Sequence, residues 1–167
     1  MKKWLLIQCK PKEEDRAVVN LERQSFEVYQ PKILQPRRRR NKWVDVIEPL
    51  FPRYLFVRVD DAAENCAPIR STFGVSKFVR FGDHFAFADD KLIEQLRSRE
   101  NDQGVHEPGR SIFQEGDKVR LVDSPLAGLQ AVFEKPTGED RVFILLNVLG
   151  KENRIKVKTD WIVPANV

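Results

Sequence analysis

The chain has 167 residues, 41% of them hydrophobic and 32% charged, with a net charge of +4, a balance that describes a soluble folded protein of one larger or two smaller domains. No apolar run approaches membrane-spanning length, and the opening Met1-Lys2-Lys3-Trp4-Leu5-Leu6-Ile7-Gln8-Cys9 lacks the apolar length and cleavage site of a secretory leader, so a cytoplasmic protein without membrane contact is expected. Two cysteines, Cys9 and Cys66, and two histidines, His84 and His106, stand at no metal-ligand or catalytic spacing, so no metal, cofactor or enzyme activity is expected.

In chain order, Trp4 to Cys9 reads as a short buried strand, followed by a helix with Glu13, Glu14 and Asp15 in its first turn, where the macrodipole favours acids. Ala17, Val18 and Leu21 give the helix an apolar stripe; Arg16, Asn20, Arg23 and Gln24 share the opposite face, with Lys10 at its entrance. That face can meet phosphates and base edges, or it is simply a solvated helix face. Val28 to Leu34 reads as a strand marked by Pro31, and Trp43 to Ile47 as its hairpin partner. Between them Arg37 to Arg40 make a basic tip that suits either a polyanion or solvent. Pro49 and Pro52 make an irregular entry to an alternating strand from Arg53, with Tyr54, Phe56 and Arg58 on one face and Leu55, Val57 and Val59 on the other. With Phe51, the aromatic face is either an exposed docking patch or one side of a sheet covered by helices on both faces.

Asp60 to Ala67 is expected as a short helix stopped by Pro68, Val75 to Phe81 as a strand, and Asp89 to Arg99 as a helix with Leu92, Ile93 and Leu96 inward. Residues 100–114 are polar, with two glycines and a proline, and read as a linker. Beyond it short strands over 116–122, 124–133, 143–149, 154–157 and 161–163 fit a small barrel. Charge divides unevenly: residues 1–98 hold 19 Lys/Arg against 14 Asp/Glu, net +5, and the remainder is net −1, which suits either a polyanion partner for the first part or an ordinary solvated surface.

Gly116-Asp117-x-Val-Arg together with Pro125-Leu126-Ala127-Gly128-Leu129 resembles a KOW motif. Trp4, Phe51-Pro52-Arg53-Tyr54-Leu55-Phe56 and Gly74-Val75-Ser76-Lys77-Phe78-Val79 resemble the N-terminal domain of the NusG family of transcription elongation factors. More narrowly, Glu48 to Pro52, Leu21-Glu22-Arg23-Gln24 and Val75 to Gly82 are similar to the specialised RfaH-like paralogues. The resemblance implies an α+β chain: residues 1–99 a NusG-type domain with an antiparallel sheet flanked by helices, 100–114 a linker, and 115–167 a KOW β-barrel or, alternatively, an autoinhibitory helical hairpin. It implies a transcription elongation and antitermination factor, monomeric, that suppresses pausing and termination by binding RNA polymerase. Phe51, Tyr54 and Phe56 would grip the β′ clamp helices, with a further contact to the β subunit. Lys10, Arg16, Asn20, Arg23, Gln24 and Thr72 would meet the non-template DNA strand, making the factor operon-specific. Glu48 with Arg141, and Phe133, Leu145 and Val148, would hold the two domains together in the hairpin state. The KOW unit would recruit a small-subunit ribosomal protein or termination factor Rho.

Departures from the RfaH-like pattern fall on Pro11, Asn20 and Phe73, where that pattern has Arg, His and Arg, and on Asn65-Cys66-Ala67, which replaces its His-Thr-Thr. The alternatives are a general NusG-like factor without a DNA signal, or a KOW-bearing, ribosome-associated RNA-binding protein. For the C-terminal unit, Pro125, Gly150 and the run Val142-Phe143-Ile144 lean toward strands.

Overall fold

The computed structural model describes residues 2–60, 66–81, 83–107, 113–122, 127–137, 141–148 and 150–165, with the side chains of 147, 148 and 160 outside the description. The chain divides into two units, Met1–Arg110 and Ser111–Val167. The first contains strands β1 (Lys2–Cys9), β2 (Glu27–Tyr29), β3 (Lys32–Arg39), β4 (Lys42–Pro49), β5 (Tyr54–Asp60), β6 (Val75–Phe78), β7 (Arg80–Phe81), β8 (His84–Phe85) and β9 (Phe87–Ala88). Its helices are α1 (Glu14–Arg23), α2 (Ala67–Arg70) and α3 (Asp90–Ser98).

The sheet runs β2-β5-β1-β6, with β9 also pairing β1. β1 and β5 are antiparallel from Lys2↔Asp60 to Gln8↔Tyr54. Pleating sends Leu5, Ile7 and Cys9, with Leu55, Val57 and Val59, to one face, where Ala17 and Leu21 of α1 and Ile69 of α2 close over them. Each leucine, isoleucine or valine removed from water there contributes about 1.5–3 kcal/mol. Trp4, Leu6, Tyr54 and Phe56 point to the other face and are also buried. Helix α3 covers that side: Trp4 Nε1 donates to Asp90 Oδ1 at 2.9 Å, and the Arg97 guanidinium lies 5.4 Å from the Trp4 ring and 4.8 Å from Tyr29. Asp89 caps α3 by accepting from the Leu92 amide at 2.8 Å.

Three element boundaries differ from expectation, two of them at a proline. Pro31 splits the expected Val28–Leu34 strand, so that β2 joins the main sheet while β3 leaves it to pair with β4. Pro68 opens α2 instead of stopping a helix, because at the first positions of a helix no amide is needed from it; residues 61–65 of the expected segment lie outside the described residues. The Val75–Phe81 strand changes partner after Val79: the Val79 amide still donates to the Leu6 carbonyl of β1 at 3.1 Å, whereas β7 pairs β8.

Strands β3 and β4 form a two-stranded hairpin in register from Lys32↔Pro49 to Arg39↔Lys42. Its two turn residues, Arg40 and Asn41, have φ of 50° and 62°, as a type I′ turn requires, and that turn twists with the flanking strands. Residues 101–106, expected within the linker, lie against this hairpin: the Leu34 amide donates to the His106 carbonyl and the His106 amide to the Lys32 carbonyl, both at 2.8 Å.

The second unit is one antiparallel sheet of β10 (Lys118–Leu121), β11 (Gln130–Pro136), β12 (Arg141–Val148), β13 (Lys151–Lys158) and β14 (Ile162–Pro164), ordered β13-β12-β11-β10-β14. Val119, Leu121, Phe133, Val142, Ile144, Val157 and Ile162 are buried. The helical-hairpin alternative is not adopted, in keeping with β-branched residues at most of those positions and Gly150 at φ +78° beside the β12–β13 connection. Nor is the expected barrel closed: among the described residues β13 and β14 do not pair. β14 supplies three residues, all in reach of β10 alone, and β13 leaves Lys151 to Arg154 exposed as a charged outer edge.

Candidate nucleic-acid interface

Helix α1 is set by its buried stripe: with Ala17 and Leu21 on the sheet, Arg16 and Arg23 stand exposed and Asn20 half-exposed on the opposite side. The amides on that face are tied down along the helix. Asn20 Nδ2 donates to the Arg16 carbonyl at 2.8 Å and Gln24 Nε2 to the Asn20 carbonyl at 3.0 Å. Gln24 Nε2 also donates to Thr72 Oγ1 at 2.8 Å, and Thr72 Oγ1 donates to the Pro68 carbonyl at 2.7 Å. The buried Thr72 hydroxyl thus has both its roles filled and pins the loop after α2 to the end of α1.

The same loop runs back along the helix. Gly74, at φ +91°, passes so close that a Cβ there would sit 2.8 Å from the Ala17 amide nitrogen and 2.8 Å from the Glu13 carbonyl. Its carbonyl accepts from the Lys10 amide at 2.8 Å, which brings exposed Lys10 to the same place. Phe73, between Thr72 and Gly74, is 66% exposed, and the Arg16 guanidinium lies 5.0 Å from its ring centre. Arg16 also pairs with Glu13 at 2.8 Å.

All six residues expected to face DNA, Lys10, Arg16, Asn20, Arg23, Gln24 and Thr72, therefore belong to one surface, with Thr72 acting beneath it. Chemically it offers three cations for phosphates, the side-chain amide oxygens of Asn20 and Gln24 for base edges and one ring for stacking. Phe73 is the member that helical spacing did not reveal, since it comes from another element; the sequence marked it only as a departure from the RfaH-like pattern.

The aromatic residues expected to meet polymerase are placed differently. Phe51 and Tyr54 are 4% exposed and Phe56 fully buried, so they form no exposed patch. The alternation of β5 had left the covering of that face open; there Tyr29 stacks 6.3 Å from Phe56, and Phe51 meets Phe56 edge-on at 6.4 Å. Half-exposed Glu48, Pro49 and Leu50 and exposed Pro52 form the surface next to them.

Glu48 is held by Arg37 across the hairpin, Nε to Oε1 and Nη2 to Oε2, both at 2.8 Å. The bidentate hydrogen bonds, partly opposed by desolvation, hold its carboxyl below the usual range. Arg141 is exposed on β12 opposite Lys158, Phe133 is buried in its own sheet against Phe113, Leu145 is half-buried, and the Val148 side chain lies outside the described residues.

Two buried groups complete the first unit. Burial pushes the Cys9 thiol up to about 12, with Glu14 adding to the effect. His106 is buried, its Nε2 without a hydrogen bond but 3.9 Å from Glu100 Oε1, and desolvation lowers its pKa against the opposing pull of Glu100. Glu100 in turn accepts a hydrogen bond from the Tyr29 hydroxyl, whose pKa is raised by burial and by that bond. Among the described residues no cluster of His, Cys, Asp and Glu could hold a metal, and no helix is long and apolar enough to cross a membrane.

Residues 2–97 match the family model described as the transcription termination factor NusG, and the chain belongs to that family. The curated relatives carry the name transcription termination/antitermination protein NusG. That of Streptomyces griseus is 25% identical over 187 residues, covering 95% of this chain but 63% of the relative, so the chain spans less than two thirds of it. That of Staphylococcus aureus strain N315 is 24% identical and is covered over 94% of its length. A solved structure of Thermotoga maritima NusG aligns over 99% of this chain and 98% of that one at 19% identity, with a TM-score of 0.37.

Proposed function

We propose that this chain is a cytoplasmic transcription elongation and antitermination factor that binds RNA polymerase through its first unit and suppresses pausing and termination. The match of residues 2–97 to the NusG family and the names of its relatives support this reading. Polymerase is engaged at the β′ clamp helices by the surface over Phe51, Tyr54 and Phe56, with a further contact to the β subunit, and the second unit recruits a ribosomal protein or Rho. Because the three aromatics are packed away, they support the shape of Glu48 to Pro52 rather than touching the partner themselves. Preferential binding to one clamp state is enough to shift polymerase away from pausing, with no chemistry supplied by the factor.

The finer reading is an operon-specific, RfaH-like factor that takes up the non-template strand, and the observation that carries it is the single surface joining α1 to Thr72 and Phe73. Single-round transcription with purified polymerase tests both levels. Wild type should shorten pauses, and Arg16→Ala with Arg23→Ala should abolish the effect on templates of one sequence class only. No effect of wild type on any template refutes the general reading; equal loss on every template refutes the specific one.

The strand form of the second unit and the pairing of Glu48 with Arg37 favour a second reading, a general NusG-like factor with no masking. Glu48→Ser separates the two: increased capture of polymerase in the absence of target DNA supports masking, and unchanged capture supports the general factor.

A further inference from the structure

The β3–β4 hairpin concentrates features that the surface on α1 does not use. Arg37, Arg38, Arg39, Arg40 and Lys42 crowd its tip against two acids, Asp45 and Glu48, lower down. Glu48 is taken up by Arg37, and among the described residues Arg38, Arg40 and Lys42 form no ion pair. Next to them stands Trp43, 66% exposed, whereas Trp4 is buried and Trp161 half-buried. Trp43 is directly opposite Arg38 in the ladder, which puts indole and guanidinium side by side on one face of the hairpin. Ile47, 53% exposed, follows on the same face.

A tryptophan holds the largest apolar area of any side chain, and leaving its flat ring in water beside a run of cations calls for a partner that is both anionic and aromatic. We propose that the hairpin is a second nucleic-acid site, in which Trp43 stacks on an unpaired base of a single strand while Arg38, Arg39, Arg40 and Lys42 hold the flanking phosphates. Single strand is favoured over duplex because a paired base already has both faces covered by its neighbours, and only an unpaired base offers its full face to the ring. Asp45 lies between Trp43 and Ile47 on that face and repels phosphate, so the strand's backbone follows the turn, where the cations are. The site stands on the hairpin alone and does not depend on polymerase binding.

The test uses the full chain with fluorescently labelled oligo-dT and oligo-U of ~20 nucleotides and a duplex of similar length, read by anisotropy across roughly 50–200 mM salt and by quenching of tryptophan emission. Single strands should quench the emission, and Trp43→Ala should weaken single-strand binding by about tenfold while Trp43→Phe keeps most of it. Arg38→Ala with Arg40→Ala should flatten the salt dependence by about 0.7 in slope for each phosphate that is no longer neutralised. Quenching should survive Arg16→Ala with Arg23→Ala, which separates this site from the one on α1. Absence of quenching in the wild type overturns the proposal, whatever the folding of the variants. So does duplex binding as tight as single-strand binding, or single-strand affinity that Trp43→Ala leaves unchanged.

Discussion

Gly74 offers the sharpest test of how the α1 surface is held together. Replacing it with alanine places a methyl group 2.8 Å from both the Ala17 amide nitrogen and the Glu13 carbonyl, backbone atoms that cannot move aside as a side chain could. The left-handed backbone, φ +91°, costs a non-glycine residue about 1–2 kcal/mol, and forcing the contact adds about 1–3 kcal/mol. The sum, about 2–5 kcal/mol, corresponds to a fall in melting temperature of roughly 9–20 °C for a unit of this size. Gly104→Ala is the control: its φ is +73°, but the nearest atom to a Cβ is a Glu100 carboxylate oxygen at 3.8 Å, an ordinary van der Waals distance, so only the backbone cost applies, about 1–2 kcal/mol. Thermal melts of both variants, followed by circular dichroism, decide the matter. A Gly74→Ala protein that melts no lower than Gly104→Ala would refute the claim that the loop is pressed against the helix. If the reasoning holds, pushing the loop outward also separates Phe73 from Arg16, and oligonucleotide binding through α1 weakens along with stability.

Tyr29→Phe removes the hydrogen bond to the mostly buried Glu100 carboxylate and should destabilise the first unit by about 1–3 kcal/mol in urea titrations; a change below about 0.5 kcal/mol would mean that the bond does not matter. Acidification should weaken the same unit. His106 and Glu48 both have pKa values lowered by folding, His106 by burial and Glu48 by the Arg37 hydrogen bonds, so the stability they give is present above their unfolded pKa values and is lost as pH falls through the folded ones. His106→Gln should flatten the part of the urea-midpoint profile just below the ordinary histidine pKa, and a profile identical to wild type there would exclude His106 as its source. Arg37→Ala breaks a half-exposed ion pair worth about 0.5–1 kcal/mol, so amide exchange along β3 and β4 should quicken about two- to fivefold while β5 is unaffected. Quickening spread evenly over the whole sheet would contradict this.

The elements readable in advance were those whose burial is decided locally. The apolar stripe Ala17–Leu21 and the inward triplet Leu92, Ile93 and Leu96 place α1 and α3 on the sheet whatever lies beyond it, and β1 is apolar enough to be central in any arrangement. Alternation in β5 fixed which residues share a face, but whether Tyr54 and Phe56 meet solvent depended on side chains from other strands, Gln8 beside Tyr54 and Tyr29 on Phe56. Prolines were ambiguous for a related reason: Pro68 both prevents a helix before it and is well placed to begin one after it. The cation face on α1 was legible from i, i+4 spacing, whereas the placing of Thr72, Phe73 and Gly74 along it required long-range contacts. Polar composition marked 100–114 as a linker, yet Asn101 Oδ1 accepts from the Gln103 and Val105 amides and turns the chain so that Val105 and His106 are buried.

The contrast between the two thiols has a practical consequence. Neither cysteine is in a disulfide, but Cys9 is buried beneath α1 with its thiol pushed up to about 12, so the nucleophilic thiolate is scarce there at neutral pH. Cys66 is half-exposed at the start of α2 and lines a shallow depression of about 390 Å³ with Arg70, Ser71 and Phe78. A maleimide dye added to the unmodified protein should therefore attach at one position, a few residues before the loop that carries Thr72. The chain comes with its own attachment point for an optical reporter, and no cysteine needs to be added or removed to follow oligonucleotides arriving at the α1 surface in real time.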